Sequence, residues 1–344
     1  GRVMAALDRT FGSLRVRNFR LYFFGQMVSQ SGTWMQGVAQ AWLVLKLTGS
    51  GTALGFVTAL QFLPVLLFGP VGGVVADRMD KRHVLYVTQT IAGLLATALG
   101  VLVVTGAVQL WMVFVLAAGL GCVNVVDNPT RQTFVLEMVG PTYLTNAVTL
   151  NSVMVNLARV VGPAAAGSLI ATLGLGPCFL VNAGSYVAVL GALALMRASE
   201  LHTAPPQPRR KGQLREGFAY VRHTPALLAP LLMVAVIGTL TYEFQVTLPL
   251  VAKFTFHGGA GAYSSMSALM GAGAVVGGLI TASRRDASGR KLAFAAMAFG
   301  VVVIAGSAAP TLGLELAALV LIGAASITFL SRGNTTIQLA AAPE

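Results

Sequence analysis

Charge is what this sequence has least of. Asp, Glu, Lys and Arg make up 10% of its 344 residues, against about 25% in an average soluble domain. Hydrophobic residues make up 56%, and the mean hydropathy is +0.77. A soluble fold has too little interior for so much apolar surface. A soluble enzyme, a disordered chain and a nucleic-acid-binding module are therefore excluded. There are only two cysteines, Cys122 and Cys178, both within apolar runs, so no disulfide framework is expected. The four histidines, His83, His202, His223 and His257, fall far apart. They supply no ligand cluster, and neither a metal nor a cofactor is expected. No Gly-x-x-x-x-Gly-Lys-Ser/Thr loop is present to cradle a nucleotide phosphate, and no nucleophile–base constellation marks an enzyme.

What the chain has instead is length of apolar run. Ten runs lie near 19–46, 52–76, 83–105, 108–130, 143–171, 176–196, 226–252, 262–282, 291–308 and 313–331. Each is close to the ~20 residues that cross a bilayer as a helix. They exceed the ~9–11 residues of a barrel strand and lack its alternation. The 39 glycines suit close helix packing in lipid. The fold class is all-α integral membrane. The first run is too long for a cleavable signal and no cleavage site follows it, so the first helix is retained.

The formal net charge of +12 reports orientation. With the N-terminus in the cytoplasm, 20 of the 23 Lys and Arg fall in inside segments and two, Lys46 and Lys253, fall outside. Arg159 lies within a helix. Such asymmetry sets topology; it does not point to nucleic acid. A multi-pass protein of the cell membrane is expected, with lipid as its surroundings.

Four segments follow. Residues 1–18 are an N-terminal cytoplasmic segment, and 19–196 hold six helices. Residues 197–225 form a polar linker with Pro205, Pro206, Pro208 and Arg209-Arg210-Lys211. Residues 226–344 hold four more helices. Within the linker, Gly212 to His223 fits a short amphipathic helix on the inner membrane surface, with Leu214, Phe218 and Val221 on its apolar side. Each half has a basic loop between its second and third helices, Asp77 to His83 and Arg284 to Lys291. Asn128-Pro-Thr-Arg-Gln-Thr has a weak echo in Gly333-Asn-Thr-Thr-Ile-Gln. Parallel six-helix repeats are a transporter architecture. On that plan about ten of twelve helices are present, and the second half is short by roughly 55–60 residues, as if truncated after helix ten.

Gly73-Val-Val-Ala-Asp77-Arg78-Met-Asp80-Lys81-Arg82 resembles the loop signature of the major facilitator superfamily, with Asp80 in place of the usual glycine. The resemblance implies a latch. Gly73 would permit close helix approach, Asp77 would accept hydrogen bonds from a helix N-terminus, and Arg78 and Arg82 would pair with acidic groups. Arg159-Val-Val-Gly162-Pro163-Ala-Ala-Ala-Gly167 resembles the Gly-Pro signature of exporters in this superfamily. Arg17-Asn-Phe-Arg-Leu-Tyr-Phe-Phe-Gly-Gln26, Asp127-Asn-Pro-Thr-Arg131-Gln-Thr-Phe-Val and Asn146-Ala-Val-Thr-Leu-Asn151-Ser together resemble its bacterial branch containing enterobactin exporters and macrolide efflux pumps. This implies two six-helix bundles and a monomer. It also implies export of a small drug-like or siderophore-like molecule by proton antiport and alternating access. A non-transporting sensor or scaffold of the same fold is the alternative. In the second basic loop Ala282 stands near the place of the lost acid, so the two inner gates would not be equivalent.

Four sets of residues are candidates for transport itself. Glu243 reads as mid-helix, with Thr239 and Thr247 on its face. Burial of a carboxyl in an apolar span favours its protonated form, so Glu243 is the proton-coupling candidate, with a structural network as the alternative. Arg159 shares a face with Ser152 and Asn156 and would meet either a carboxylate or an anionic cargo group. Asp127 and Arg131, four apart, fit a gating or structural pair. Gln26, Ser29, Gln30, Thr33, Gln36 and Gln40 form one polar stripe on the first helix. That stripe would line a cavity or bond between helices, with Trp34, Met35, Tyr242 and Phe244 adding apolar and aromatic surface.

Overall fold

The computed structural model describes residues 4, 10–203, 212–282 and 288–341. Arg2, Arg9, Pro205, Pro206, Pro208, Arg209, Arg210, Lys211, Arg284 and Arg285 lie outside the described residues, as do the side chains of Leu214 and Ala282.

Two compact units divide the chain, Gly1–Gln207 and Pro208–Glu344. In the first, α1 is Arg17–Thr48, α2 is Gly51–Arg78 and α3 is Lys81–Val104. A helical run, Leu110–Leu173, bends at Gly140 (φ 73°, ψ 175°) into α4 (110–139) and α5 (141–173). Then comes α6, Gly176–Leu195. The second unit opens with α7, Gln213–His223, at the place of the expected amphipathic helix. It continues with α8, Pro225–Thr241, α9, Phe244–Leu250, and a π turn, Val251–Thr255. It closes with α10, Ala260–Ala282, α11, Gly289–Ser307, and α12, Leu312–Ala341. No strand occurs among the described residues.

Eight helical runs among the described residues are long and apolar enough to cross a membrane. One of them, Leu110–Leu173, bends into two legs of membrane length. The 32-residue α1 is long enough, with its apolar character diluted by glutamines. The ten apolar runs of the sequence are therefore all helical, six in one unit and four in the other. Their ends differ from the sequence reading in two places. Helix four continues past Pro129, and the run 226–252 is broken at Tyr242–Glu243.

Gly140 carries the bend because its positive φ is a conformation that a side chain disfavours. The ring of His202 also fills the space a Cβ would take, with Nε2 at 3.2 Å. Both flanks of the bend meet the start of α1. Ser13 N–H donates to Asn146 Oδ1 at 2.9 Å, and the Tyr22 and Phe134 rings pack edge-on at 6.1 Å. So α4 arrives at, and α5 leaves from, the same end of the unit. Phe19, Tyr22, Leu85, Phe134, Met138 and Leu193 form the apolar core there.

In lipid, helices associate through close van der Waals fit at small residues. A Cβ on Gly72 of α2 would collide with the Val125 carbonyl of α4, and one on Gly121 of α4 would lie 2.5 Å from the Gln61 carbonyl of α2. The second unit repeats this between its own second and fourth spans. Gly273 and Gly277 of α10 abut the carbonyls of Val320 and Ala324, and Gly323 of α12 abuts that of Met270.

Candidate functional site

At the α2–α3 turn, Asp80 caps α3 by accepting Arg82 N–H at 3.1 Å. Asp77 and Arg78 are exposed, and their side chains form no hydrogen bond or ion pair among the described residues. Arg82 was expected to meet an acid. It donates instead to main-chain oxygens at the end of α6, from Nε to Leu193 O at 3.0 Å and from Nη2 to Leu193 O at 2.6 Å and Met196 O at 3.2 Å. Arg17 joins it, donating to Leu195 O at 2.7 Å. Cations belong there because the last carbonyls of a helix lack amide partners and its C-terminus is partly negative. The acid-seeking cation is Lys81, whose Nζ stands 3.1 Å from Glu137 Oε1. Nor is the tight helix contact at Gly73, where nothing lies within 4 Å of the place a Cβ would take. It is at Gly72, one residue earlier and 100° around the helix.

Asp127 is buried in the bundle. Thr88 Oγ1 donates to it at 2.6 Å and Gln89 Nε2 at 2.8 Å. Arg131 Nε lies 2.6 Å from its other oxygen, a charge contact and not an aligned hydrogen bond. Arg131 Nη2 donates to Asn128 Oδ1 at 2.9 Å. The expected i,i+4 pair is thus one part of a network that fastens α4 to α3.

The α1 stripe faces its neighbours more than open space. Asn182 Nδ2 donates to Gln36 Oε1 at 2.5 Å, and Gln40 Nε2 reaches Gln61 Oε1 at 3.4 Å. Gln30 Nε2 lies 3.5 Å from Gln26 Oε1, and Thr33 bonds back to Ser29 O at 3.0 Å. Gln26, Ser29, Gln36 and Gln40 are buried, while Gln30 and Thr33 are half-buried. Gln26 Nε2 is buried with no hydrogen-bond partner among the described residues.

On α5, Gly162 lets α1 approach. A Cβ there would lie 2.5 Å from Trp34 Cβ and 2.6 Å from Ser31 O. Pro163 is buried beside it and Gly167 is half-buried. One turn earlier, the Arg159 guanidinium sits 5.2 Å above the Trp34 ring. Asn156 Nδ2 bonds to Ser152 O at 2.9 Å within its own helix.

Glu243 is not mid-helix. It is exposed and occupies the break between α8 and α9. Beside it the Tyr242 hydroxyl donates to Ser326 O of α12 at 2.6 Å. The Tyr242 and Phe299 rings lie 5.6 Å apart, and Phe244 lies 6.5 Å from Phe299. The sequence reading missed Glu137, which lies beyond the apparent end of helix four. It also missed Glu315, buried in the first turn of α12.

Comparison with known proteins points the same way as this architecture. Residues 8–344 match the family described as transmembrane secretion effector. The chain is 27% identical over 217 residues to the MFS-type transporter YfiS of Bacillus subtilis, covering 62% of this chain and 51% of the relative. It is 29% identical over 178 residues to the staphyloferrin A transporter of Staphylococcus aureus, covering 51% and 45%. The chain spans about half the length of the curated relatives it matches. Among solved structures, an inward-facing bacterial homologue of the human lysosomal transporter spinster aligns with a TM-score of 0.67 at 16% identity. That alignment covers 93% of this chain and 75% of the other.

Proposed function

Because the chain belongs to the transmembrane secretion effector family of the major facilitator superfamily, we propose that it exports a small drug-like or siderophore-like molecule by proton antiport and alternating access. The observation that carries export is the Gly162 contact. The Gly-Pro segment resembling the exporter signature is the place where α5 meets the α1 backbone, as helices that slide on one another require. Glu243 is the coupling carboxylate, open at a helix break within a span. Intramembrane acids are functional suspects by default.

The N-terminus is cytoplasmic, which places Arg17, Arg78, Lys81 and Arg82 on the inner side. There Asp77 and Arg78, free of partners among the described residues, act as the latch. Asp127 and Arg131 hold the gate end of α4, and Gln30, Thr33, Asn156, Arg159 and Tyr242 are the cargo-side candidates. The protein works as a monomer.

Everted vesicles test this reading. Glu243→Gln abolishes efflux driven by a pH gradient while the protein still inserts. Undiminished, gradient-dependent efflux in the variant removes Glu243 from coupling. No efflux of any compound in a drug and siderophore panel leaves the chain a sensor or scaffold.

A further inference from the structure

Residues 209–223 hold five cations, Arg209, Arg210, Lys211, Arg215 and Arg222, against one acid, Glu216. The later part of this stretch is α7, Gln213–His223. Arg215 and Arg222 are exposed, and their side chains form no ion pair or hydrogen bond among the described residues. Glu216 does not neutralise them, because at 100° per residue it stands about 100–120° around the helix from each.

The two arginines and the apolar residues of α7 are placed in register. Arg215 and Arg222 are two turns apart, so they share one line of the helix within about 20° and about 10 Å along its axis. Phe218 lies between them along the axis and about 40–60° to one side, with Val221 about 60° farther in the same direction. Phe218 is 74% exposed, Val221 is half-buried, and among the described residues no side chain of α7 is buried. An aromatic ring so open has no protein cover, and an apolar side edged with arginines is the pattern of a helix lying in a membrane interface. The connection to the next helix holds α7 at that depth. A single extended residue, Thr224 (φ −116°, ψ 92°), joins α7 to α8, and α8 opens the apolar run Pro225–Thr255. Thr224 is tied to both helices. Its hydroxyl donates to Tyr220 O at 2.8 Å, and its carbonyl accepts the Leu228 amide at 2.9 Å.

We propose that α7 is a docking surface for an anionic lipid leaflet, with Phe218 and Val221 entering the boundary between headgroups and acyl chains and Arg215 and Arg222 binding lipid phosphates. The charge asymmetry that puts the N-terminus inside puts α7 at the inner leaflet, where anionic lipid gives the surface a negative potential. Arg209, Arg210 and Lys211 add to the same attraction. A soluble anion fits less well, since it would engage the arginines and leave Phe218 in water. The proposal stands apart from what the chain transports.

The test is amide hydrogen exchange on the full chain in nanodiscs that hold one copy each, which removes contact with a second copy. One set is made of phosphatidylcholine alone and the other of an equimolar mixture with phosphatidylglycerol. The α7 amides should exchange about tenfold or more slowly in the mixture, as two cations worth about fivefold each at an anionic surface allow. Arg215→Gln with Arg222→Gln should remove most of that gain. Arg215→Lys with Arg222→Lys should keep it, because a leaflet attracts charge and not one side-chain shape. Salt at about 1 M, where the screening length falls to about 3 Å, should erase it. Phe218→Ser should speed exchange of α7 in both lipids. Equal exchange of α7 in the two lipids overturns the proposal, as does a gain that survives the double glutamine variant or is lost in the double lysine one. Slowing spread evenly over α8 to α12 overturns it in favour of a general effect of phosphatidylglycerol on stability. The same slowing by inorganic phosphate in neutral nanodiscs overturns it in favour of a soluble-anion site.

Discussion

Lys81 Nζ stands 3.1 Å from Glu137 Oε1, with 11% and 10% of the two side chains exposed. The pair ties the first residue of α3 to the last turns of α4. His202 N–H adds a bond to the Glu137 carbonyl at 2.7 Å, which draws the segment after α6 onto the same point.

Removing one partner of a buried ion pair strands the other charge. Glu137→Gln should therefore lower stability by on the order of 3 kcal/mol, and Lys81→Met with Glu137→Leu together should recover most of it. Thermal unfolding in detergent reads both. An unshifted midpoint for Glu137→Gln alone would show the pair to be solvated.

Gly72 and Gly73 make opposite predictions although they are neighbours. Gly72→Ala drives a Cβ into the Val125 carbonyl, whereas Gly73→Ala meets nothing within 4 Å. Overpacking of this kind costs about 1–3 kcal/mol. The first variant should lose that much stability in thermal unfolding and, on the proposed export function, most efflux. The second should match the native protein in both, and equal behaviour of the two would contradict the α2–α4 packing.

Gln36 is bonded to Asn182 between α1 and α6. Gln36→Leu leaves the Asn182 amide unmatched and should cost about 1–2 kcal/mol, with the apparent KM for any exported compound unchanged. A raised KM at native stability would instead put Gln36 on the cargo path.

The sequence made the ten spans legible because each apolar run is as long as a bilayer is thick, and no other physics demands that length. It also made the Asp127–Arg131 pair legible, since four residues is one helical turn. The side of contact was less legible. Gly72 and Gly73 are equally small, and which one faces α4 is set by a 100° rotation that only packing fixes. The α1 stripe was visible as a stripe. Its burial depended on Asn182 and Gln61, residues 146 and 21 positions away. The break at Glu243 left no signal, because no Gly or Pro occurs between Thr239 and Thr247. Glu137 was hidden by reading helix four as ending where its apolar run ends, although the helix runs on to the bend.

Gly140 joins α4 to α5 without a connecting loop. A loop of several residues would let two helices tilt separately, whereas a single residue with a fixed φ of 73°, with the His202 ring packed against it, gives them no slack. The first unit thus joins six long helical legs with only four loops. One continuous run of helix leads from the Gly162 contact on α5, through the bend, to the Asp127 network and the Lys81–Glu137 pair on α4.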